Sequence, residues 1–271
     1  RQLLGYRNGA LSIADRASTL SREIAKGIAD RMGYPLCERM PSGQALGATF
    51  AGLTAKCIEE GFSLLHHLRP GRWHYSLSQG GSGIAAFEQY KHLAELDRLL
   101  RLHPELKSAL GGDYYITPDI TIARESVSDE EINVQANVIE SSEETARLTP
   151  LRTVNNPLQQ PVAILHASIS CKWTMRSDRA QNTRTEALNL IRNRKGRLPH
   201  IVAVTMEPMP SRLASLALGT GDLDCVYHAA LYELQATVMA LPYEDAQEML
   251  NTLIAGNRLR DISDLPLDLA V

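Results

Sequence analysis

The hydrophobic period of this sequence changes from helical to alternating partway along the chain, and this change most constrains the fold. In the first part, apolar residues recur at helical spacing in Ser21–Arg31, Leu46–Leu68 and Phe87–Leu102. Tyr114–Ala123 then alternates like a β-strand, with an interruption at Pro118. We therefore expect a helical N-terminal part followed by a part that contains a sheet.

The second part alternates between strand and helix patterns. Val162–Trp173 and His200–Thr205 predict buried strands, Thr183–Asn193 predicts a helix and Cys225–Leu241 predicts a long helix. This order predicts an α/β domain with a central mixed β-sheet flanked by helices. The polar residues 126–160 are predicted to form an insertion.

The chain has 271 residues and is 44% hydrophobic, which is enough for one sizeable core. We expect a single domain over residues 1–271, helical to about residue 110 and α/β from about residue 111. None of the four cysteines stands in a C-x-x-C pair, so we expect reduced thiols and a cytoplasmic location. No apolar run is long enough to cross a bilayer, so no membrane partner is expected.

Positive charge is concentrated in one window, although the whole chain has a formal net charge of −3. Between Lys172 and Arg197 stand eight Lys or Arg residues and two acids, so the window is net +6 and the rest of the chain net −9. A basic patch on an acidic protein is typical of a protein that binds DNA at one face. The same window also fits a solvated helix with arginines on its outer side.

Three residues in this part of the chain have the chemistry for phosphodiester hydrolysis. Asp119 lies on one predicted strand, Lys172 ends another, and Glu186 lies on the helix that follows. Two carboxylates can hold Mg²⁺, which activates water and neutralises charge on a phosphate. A lysine beside them can orient or deprotonate that water.

Each of these residues also has a simpler interpretation. Asp119 follows a proline and fits a turn that breaks a strand. Lys172 fits an ordinary lysine at a strand end, with its charge in water. Glu186 completes the pattern Thr183–Glu186, which fits a helix capping box. The residue types alone therefore leave a nuclease and an unrelated protein both open.

Longer stretches of the sequence resemble the NgoMIV-like type II restriction endonucleases of the PD-(D/E)XK superfamily, the tetrameric group that recognises CCGG. They are Leu165–Asn182, Asn193–His200, Asp261–Asp268, Ile24–Asp30 and Tyr115–Ile120. The resemblance covers nearly the whole chain and is weakest over residues 126–160. It implies a restriction-endonuclease-like core and Mg²⁺-dependent double-strand cleavage of GCCGGC.

The resemblance also assigns catalytic residues. It gives catalytic roles to Asp119, Lys172 and Glu186, and it places Ser170 where many members of the superfamily carry the second acid. Cys171 joins Asp119 and Glu186 among the implied metal ligands. A family glutamate on the long N-terminal helix matches Ala51, which cannot bind metal. Ala51 is interpreted as a lost helper, a deliberate replacement or a one-residue slip in the match.

The resemblance assigns the bases of the site to separate residues. Arginine donates to O6 and N7 of guanine, and aspartate accepts from N4 of cytosine. The implied contacts to the central CCGG come from Arg176, Asp178 and Arg179. The implied outer and minor-groove contacts come from Asp15, Arg212 and Gln44. An intrahelical or turn salt bridge is the simpler interpretation of Asp178.

The partners implied by the resemblance are double-stranded DNA that contains GCCGGC and further copies of the chain. The family forms homotetramers, built as dimers of dimers, and acts in restriction–modification systems. The alternative function is a sequence-specific DNA-binding protein of the same fold whose catalysis is impaired by Ala51. A repair or junction nuclease of the superfamily is disfavoured, because it would lack the compact Arg-x-Asp-Arg segment.

Overall fold

This computed structural model describes residues 3–38, 40–77, 83–103, 116–140, 145–153, 162–175, 177–219 and 221–271, without the side chains of residues 177–179. A short N-terminal hairpin comes first, formed by β1 (Tyr6–Arg7) and β2 (Ala10–Leu11). Its two-residue turn is Asn8–Gly9, with φ of 51° and 82°. Asn-Gly is the favoured pair for such a turn because both positions need positive φ.

The other described strands form one sheet whose strand order follows the sequence. They are β3 (Trp73–Leu77), β4 (Ile120–Arg124), β5 (Ile164–Lys172), β6 (His200–Thr205), β7 (Cys225–His228) and β8 (Leu259–Asp261). β3 pairs with β4 in antiparallel orientation, whereas β6, β7 and β8 are parallel neighbours. The sheet is therefore mixed, and the predicted α/β class is confirmed.

Along the sequence, the described helices come between the strands and after the last one. They are α1 (Thr19–Met32), α2 (Gly43–Ser63), α3 (His92–Leu102), α4 (Asp129–Ile132), α5 (Ser177–Asn193), α6 (Pro210–Ala217), α7 (Leu231–Ala240), α8 (Glu244–Ala255) and α9 (Leu265–Asp268). Ser18 and Ser42 cap the first two helices, each by accepting a backbone N–H three residues ahead. No helix of the described residues is long and apolar enough to cross a membrane.

Some elements differ from the sequence predictions. The predicted helix Cys225–Leu241 is wrong at its start, because its first four residues form the buried strand β7. The predicted helix Phe87–Leu102 becomes helical only at His92, after two short 3₁₀ turns. The part before residue 110 also contributes strands β1, β2 and β3. The prediction of a single domain whose two parts meet near residue 110 stays a prediction.

The chain divides into two compact units, of which the first contains residues 1–69, 169–188 and 200–271. Its core includes Ile24, Ile28, Phe62 and Leu234, none of which is exposed. Helix α1 approaches α7 so closely that a Cβ on Gly27 would lie 2.3 Å from Thr237 Cγ2. A larger residue at Gly27 would push these helices apart.

The second unit contains residues 70–168 and 189–199. Its buried residue Gln89 extends the hydrogen bonding of β5, because its amide nitrogen donates to the carbonyl of Leu165 at 2.7 Å and its oxygen accepts from Leu165 N at 2.9 Å. The hydroxyl of Tyr90 donates to the carbonyl of Leu190 at 3.0 Å. The two Gln89 bonds hold the start of β5 within this unit.

Candidate active site

The end of β5 places two candidate side chains on one face of the strand. Side chains alternate along a strand, so Ser170 and Lys172 point to one side and Cys171 to the other. Ser170 and Lys172 are half-buried, whereas Cys171 is buried. Among the described residues, the Ser170 hydroxyl oxygen is buried and has no hydrogen-bond partner. Buried hydroxyls are usually hydrogen-bonded, so this one is suited to a ligand or a water molecule.

Glu186 lies within helix α5 and is half-buried. The helix begins at Ser177, so Thr183 is already inside it and cannot be its N-cap. The capping-box interpretation of Thr183–Glu186 is therefore wrong. Glu186 belongs to the same unit as Ser170 and Lys172. Its place on the helix after β5 is confirmed, whereas its catalytic role stays a prediction.

Asp119 stands directly before β4, the neighbour of β5 in the sheet order. It is half-buried and follows the buried Pro118. Asp119 belongs to the second unit, with β4. Within the described parts of the chain, no three His, Cys, Asp or Glu side chains are grouped so that they could hold a metal ion.

Trp173, the residue after Lys172, packs against helix α2. Its indole ring packs edge-on against Phe50, with ring centroids 5.2 Å apart, and its N–H donates to the carbonyl of Ser12 at 3.2 Å. Phe50 immediately precedes Ala51, so Ala51 belongs to the part of α2 that packs at the end of β5. Ala51 is half-buried and is not part of the buried face of this helix.

The predicted outer base-pair residues Asp15 and Arg212 are brought together. Arg212, on α6, donates to the Asp15 carboxylate through Nη2 and to the carbonyl of Met175 through Nη1 at 3.2 Å. Asp15 Oδ1 also accepts from Ala17 N at 3.0 Å. Arg212 therefore contacts Met175, the described residue that immediately precedes Arg176 in the sequence.

Asp15, Arg212 and Met175 form a cluster with Glu207, a residue that the sequence analysis missed. It follows β6, has no exposed surface, and accepts from Met175 N at 2.7 Å and from Met209 N at 3.2 Å. Arg212 Nη1 is 3.8 Å from its Oε1. Burial raises the pKa of Glu207 to about 7, although both backbone bonds and Arg212 favour the charged form. The available signal was an acid directly after an apolar strand.

His228, at the end of β7, is a neutral member of the same buried region. Its Nε2 donates to the backbone carbonyl of Glu207 at 3.2 Å, and its Nδ1 accepts from Ala230 N at 3.1 Å. Burial lowers the pKa of His228 to about 4. The imidazole is therefore uncharged at neutral pH and adds no positive charge beside Arg212.

The remaining predicted DNA contacts are only partly described. Arg176 and the side chains of Asp178 and Arg179 lie outside the described residues, and Gln44 is exposed near the start of α2. Within the basic window, Arg184 forms an ion pair with the buried Asp222 at 3.3 Å. That cation stabilises the fold, so part of the window is structural. Other cations there are exposed, namely Arg192, Lys195 and Arg197.

Comparison with known proteins finds one family across the chain. The model of the NgoMIV restriction enzyme family matches residues 3–271. The chain is also similar to the type II restriction enzyme NgoMIV of Neisseria gonorrhoeae, with 50% identity over 268 residues. That match covers 97% of this chain and 91% of the gonococcal protein.

Proposed function

Because this chain belongs to the NgoMIV restriction enzyme family, we propose that it cuts both strands of DNA at the palindrome GCCGGC with Mg²⁺ as cofactor. Its fold and family make it a type II restriction endonuclease, which binds double-stranded DNA. The proposal adds the base sequence, the metal and the residues that act on them.

One observation carries the proposed base sequence. Asp15 and Arg212 stand 197 residues apart, yet they form an ion pair beside Met175. The ion pair holds an arginine, which can donate to guanine, and an aspartate, which can accept from cytosine, at Met175, the residue before Arg176 in the sequence. A purely structural ion pair would not need to lie beside that segment.

The base contacts are proposed to divide along the palindrome. Arg212 donates to guanine and Asp15 accepts from cytosine at the outer base pair. Arg176, Asp178 and Arg179 contact the central CCGG in the major groove. Exposed Gln44 at the start of α2 takes a minor-groove contact.

The proposed metal ligands are the carboxylates of Asp119 and Glu186 with the backbone carbonyl of Cys171. Mg²⁺ prefers oxygen ligands, so the buried Cys171 thiol is not the ligating atom. The buried hydroxyl of Ser170, which lacks a partner among the described residues, fits a site that water fills. When bound, Mg²⁺ would lower the pKa of a water molecule and neutralise charge on the phosphate.

Lys172 is proposed to act directly on the scissile phosphate and the attacking water. Its ammonium group donates hydrogen bonds to oxygen atoms, and its positive charge favours the pentavalent phosphate. Ser170 lies on the same face of β5, so its hydroxyl helps to orient the water. Lys172 is joined to the base-contacting segment by only three residues, which couples recognition to cutting.

The proposed active form is a homotetramer, a dimer of dimers in which each dimer holds one DNA site. We place it in the cytoplasm, as the nuclease of a restriction–modification system. The alternative function is a DNA-binding protein with impaired cleavage. Ala51 favours this alternative, because it stands beside the contact of Phe50 with Trp173 and carries no carboxylate.

A plasmid assay tests the proposal. A plasmid with GCCGGC sites should be linearised or fragmented with Mg²⁺ and stay intact with EDTA, while a plasmid without the site should stay intact in both. Cleavage of both plasmids would contradict the base sequence. Tight GCCGGC binding without cleavage would support the alternative.

A further inference from the structure

Glu207 occupies a position that the proposed contacts do not use. Its carboxylate accepts backbone N–H groups on both sides of the cluster, Met175 before the base-contacting segment and Met209 at the N-cap of α6. It also lies 3.8 Å from Arg212. One side chain therefore connects the start of that segment to the helix that carries Arg212.

Stability alone gives a weak reason for this carboxylate. A fully buried carboxylate loses its hydration, and a well-packed apolar side chain often replaces a buried charge without loss of stability. Burial is also the largest contribution to the raised pKa of Glu207. Its charged form is thus held against a desolvation cost.

The geometry points to Glu207 as a positioning residue for DNA recognition, which holds Met175 and Arg212 in register with each other. This inference rests on the proposed function and deepens it. Glu207 touches no base, so it acts through Arg212 and through the backbone of Met175.

The need for such a residue follows from the ion pair of Asp15 with Arg212. Asp15 is partly exposed, with 32% of its side chain accessible, whereas Glu207 is completely buried. When Asp15 and Arg212 exchange their mutual contact for bases, Arg212 loses one acid. Glu207 remains beside it, so the buried carboxyl group still holds the guanidinium in its direction toward guanine.

The test compares affinities of wild type and Glu207→Gln for a GCCGGC duplex and a scrambled duplex, in EDTA so that neither is cut. We expect the variant to lose about tenfold or more of its affinity for GCCGGC, as if a base contact were lost, and to bind scrambled DNA as before. The matched control is Asp261→Asn, another buried carboxylate that accepts backbone N–H groups, from Leu231 and Ser263.

A merely structural role would lower the melting temperature of both variants and leave the ratio of the two affinities unchanged in both. That outcome overturns the inference. If Glu207→Gln does not fold, Glu207→Asp decides the question, because its shorter carboxylate should also lower the ratio. If wild type itself binds both duplexes equally, the proposed function fails. An unchanged ratio in a selective wild-type background refutes only the role of Glu207.

Discussion

Arg212 is ion-paired with Asp15, so each of these predicted base contacts satisfies the other. Arg212 is held further by the carbonyl of Met175. Side chains that are already ordered lose less conformational entropy when they bind. If the two side chains contact bases as proposed, they must give up this ion pair, and a G·C pair compensates for it because it offers O6 and N7 to arginine and the N4 donor to aspartate.

Arg212→Lys should remove selectivity at the outer base pair. Lysine keeps the charge but lacks the planar fork that matches guanine. We expect the affinity difference between GCCGGC and ACCGGT duplexes to shrink by about 1–3 kcal/mol, measured by fluorescence anisotropy. Arg258→Lys is the control, because Arg258 donates instead to the carbonyls of Ala217 and Leu223. If both variants showed the same change in the affinity difference between the two duplexes, Arg212 would not contact the outer base pair.

Arg176→Ala and Arg179→Ala should each weaken binding to GCCGGC by about 1–3 kcal/mol and leave scrambled DNA almost unaffected. The physical reason is that a bidentate contact to guanine is specific to sequence, whereas a phosphate contact is not. Arg197→Ala provides the control, because it removes an exposed cation of the same window. Equal losses on both duplexes would show that these arginines contact only phosphates.

The central strands of the fold were predictable from the sequence, and the short ones were not. Val162–Trp173 and His200–Thr205 were found because long apolar runs must be buried, and they correspond to β5 and β6. The start of β7 was missed because three apolar residues and a histidine lead into a helix without a turn signal in the sequence. β3 was missed because three of its five residues are exposed, which weakens any alternation.

Candidate site residues could be proposed from the sequence only where the residue type itself suggests a chemical role. The pairing of Asp15 with Arg212 needed the resemblance, because no local pattern joins residues 197 positions apart. Glu207 was missed because its burial and its bond to Met175, which is 32 residues away, leave no local pattern in the sequence. A surface glutamate and a buried one look the same in a sequence.

The pH dependence of stability should reveal the buried Glu207 carboxyl. Its pKa is raised to about 7 from 4.5, so in this interval the folded state binds more protons than the unfolded state. Stability from this group is therefore lost as pH rises, by about 3 kcal/mol at most above pH 7. The glutamine in Glu207→Gln does not titrate. The unfolding free energy of the variant minus that of wild type, measured by urea titration, should therefore increase from pH 5 to pH 8.

His228 changes stability with pH in the opposite direction, so its contribution must be separated from that of Glu207. Its pKa is lowered to about 4 from 6.5, so stability is lost as pH falls through this interval. Both proteins contain His228, so its contribution cancels in their difference. A difference that stays constant from pH 5 to pH 8 would mean that Glu207 titrates normally.

Ala51→Glu should raise the cleavage rate of GCCGGC with little change in affinity. A carboxylate that helps to hold metal or to orient water acts mainly in the transition state, so it affects turnover more than binding. Ala51 is half-buried and lies outside the buried face of α2, so a glutamate there has access to water. Ala48→Glu, at an exposed position of the same helix, adds the same charge as a control. If Ala51 instead allows two helices to pack closely, glutamate there would lower the melting temperature while the parent chain cut DNA normally. That combination would falsify the catalytic interpretation of this position.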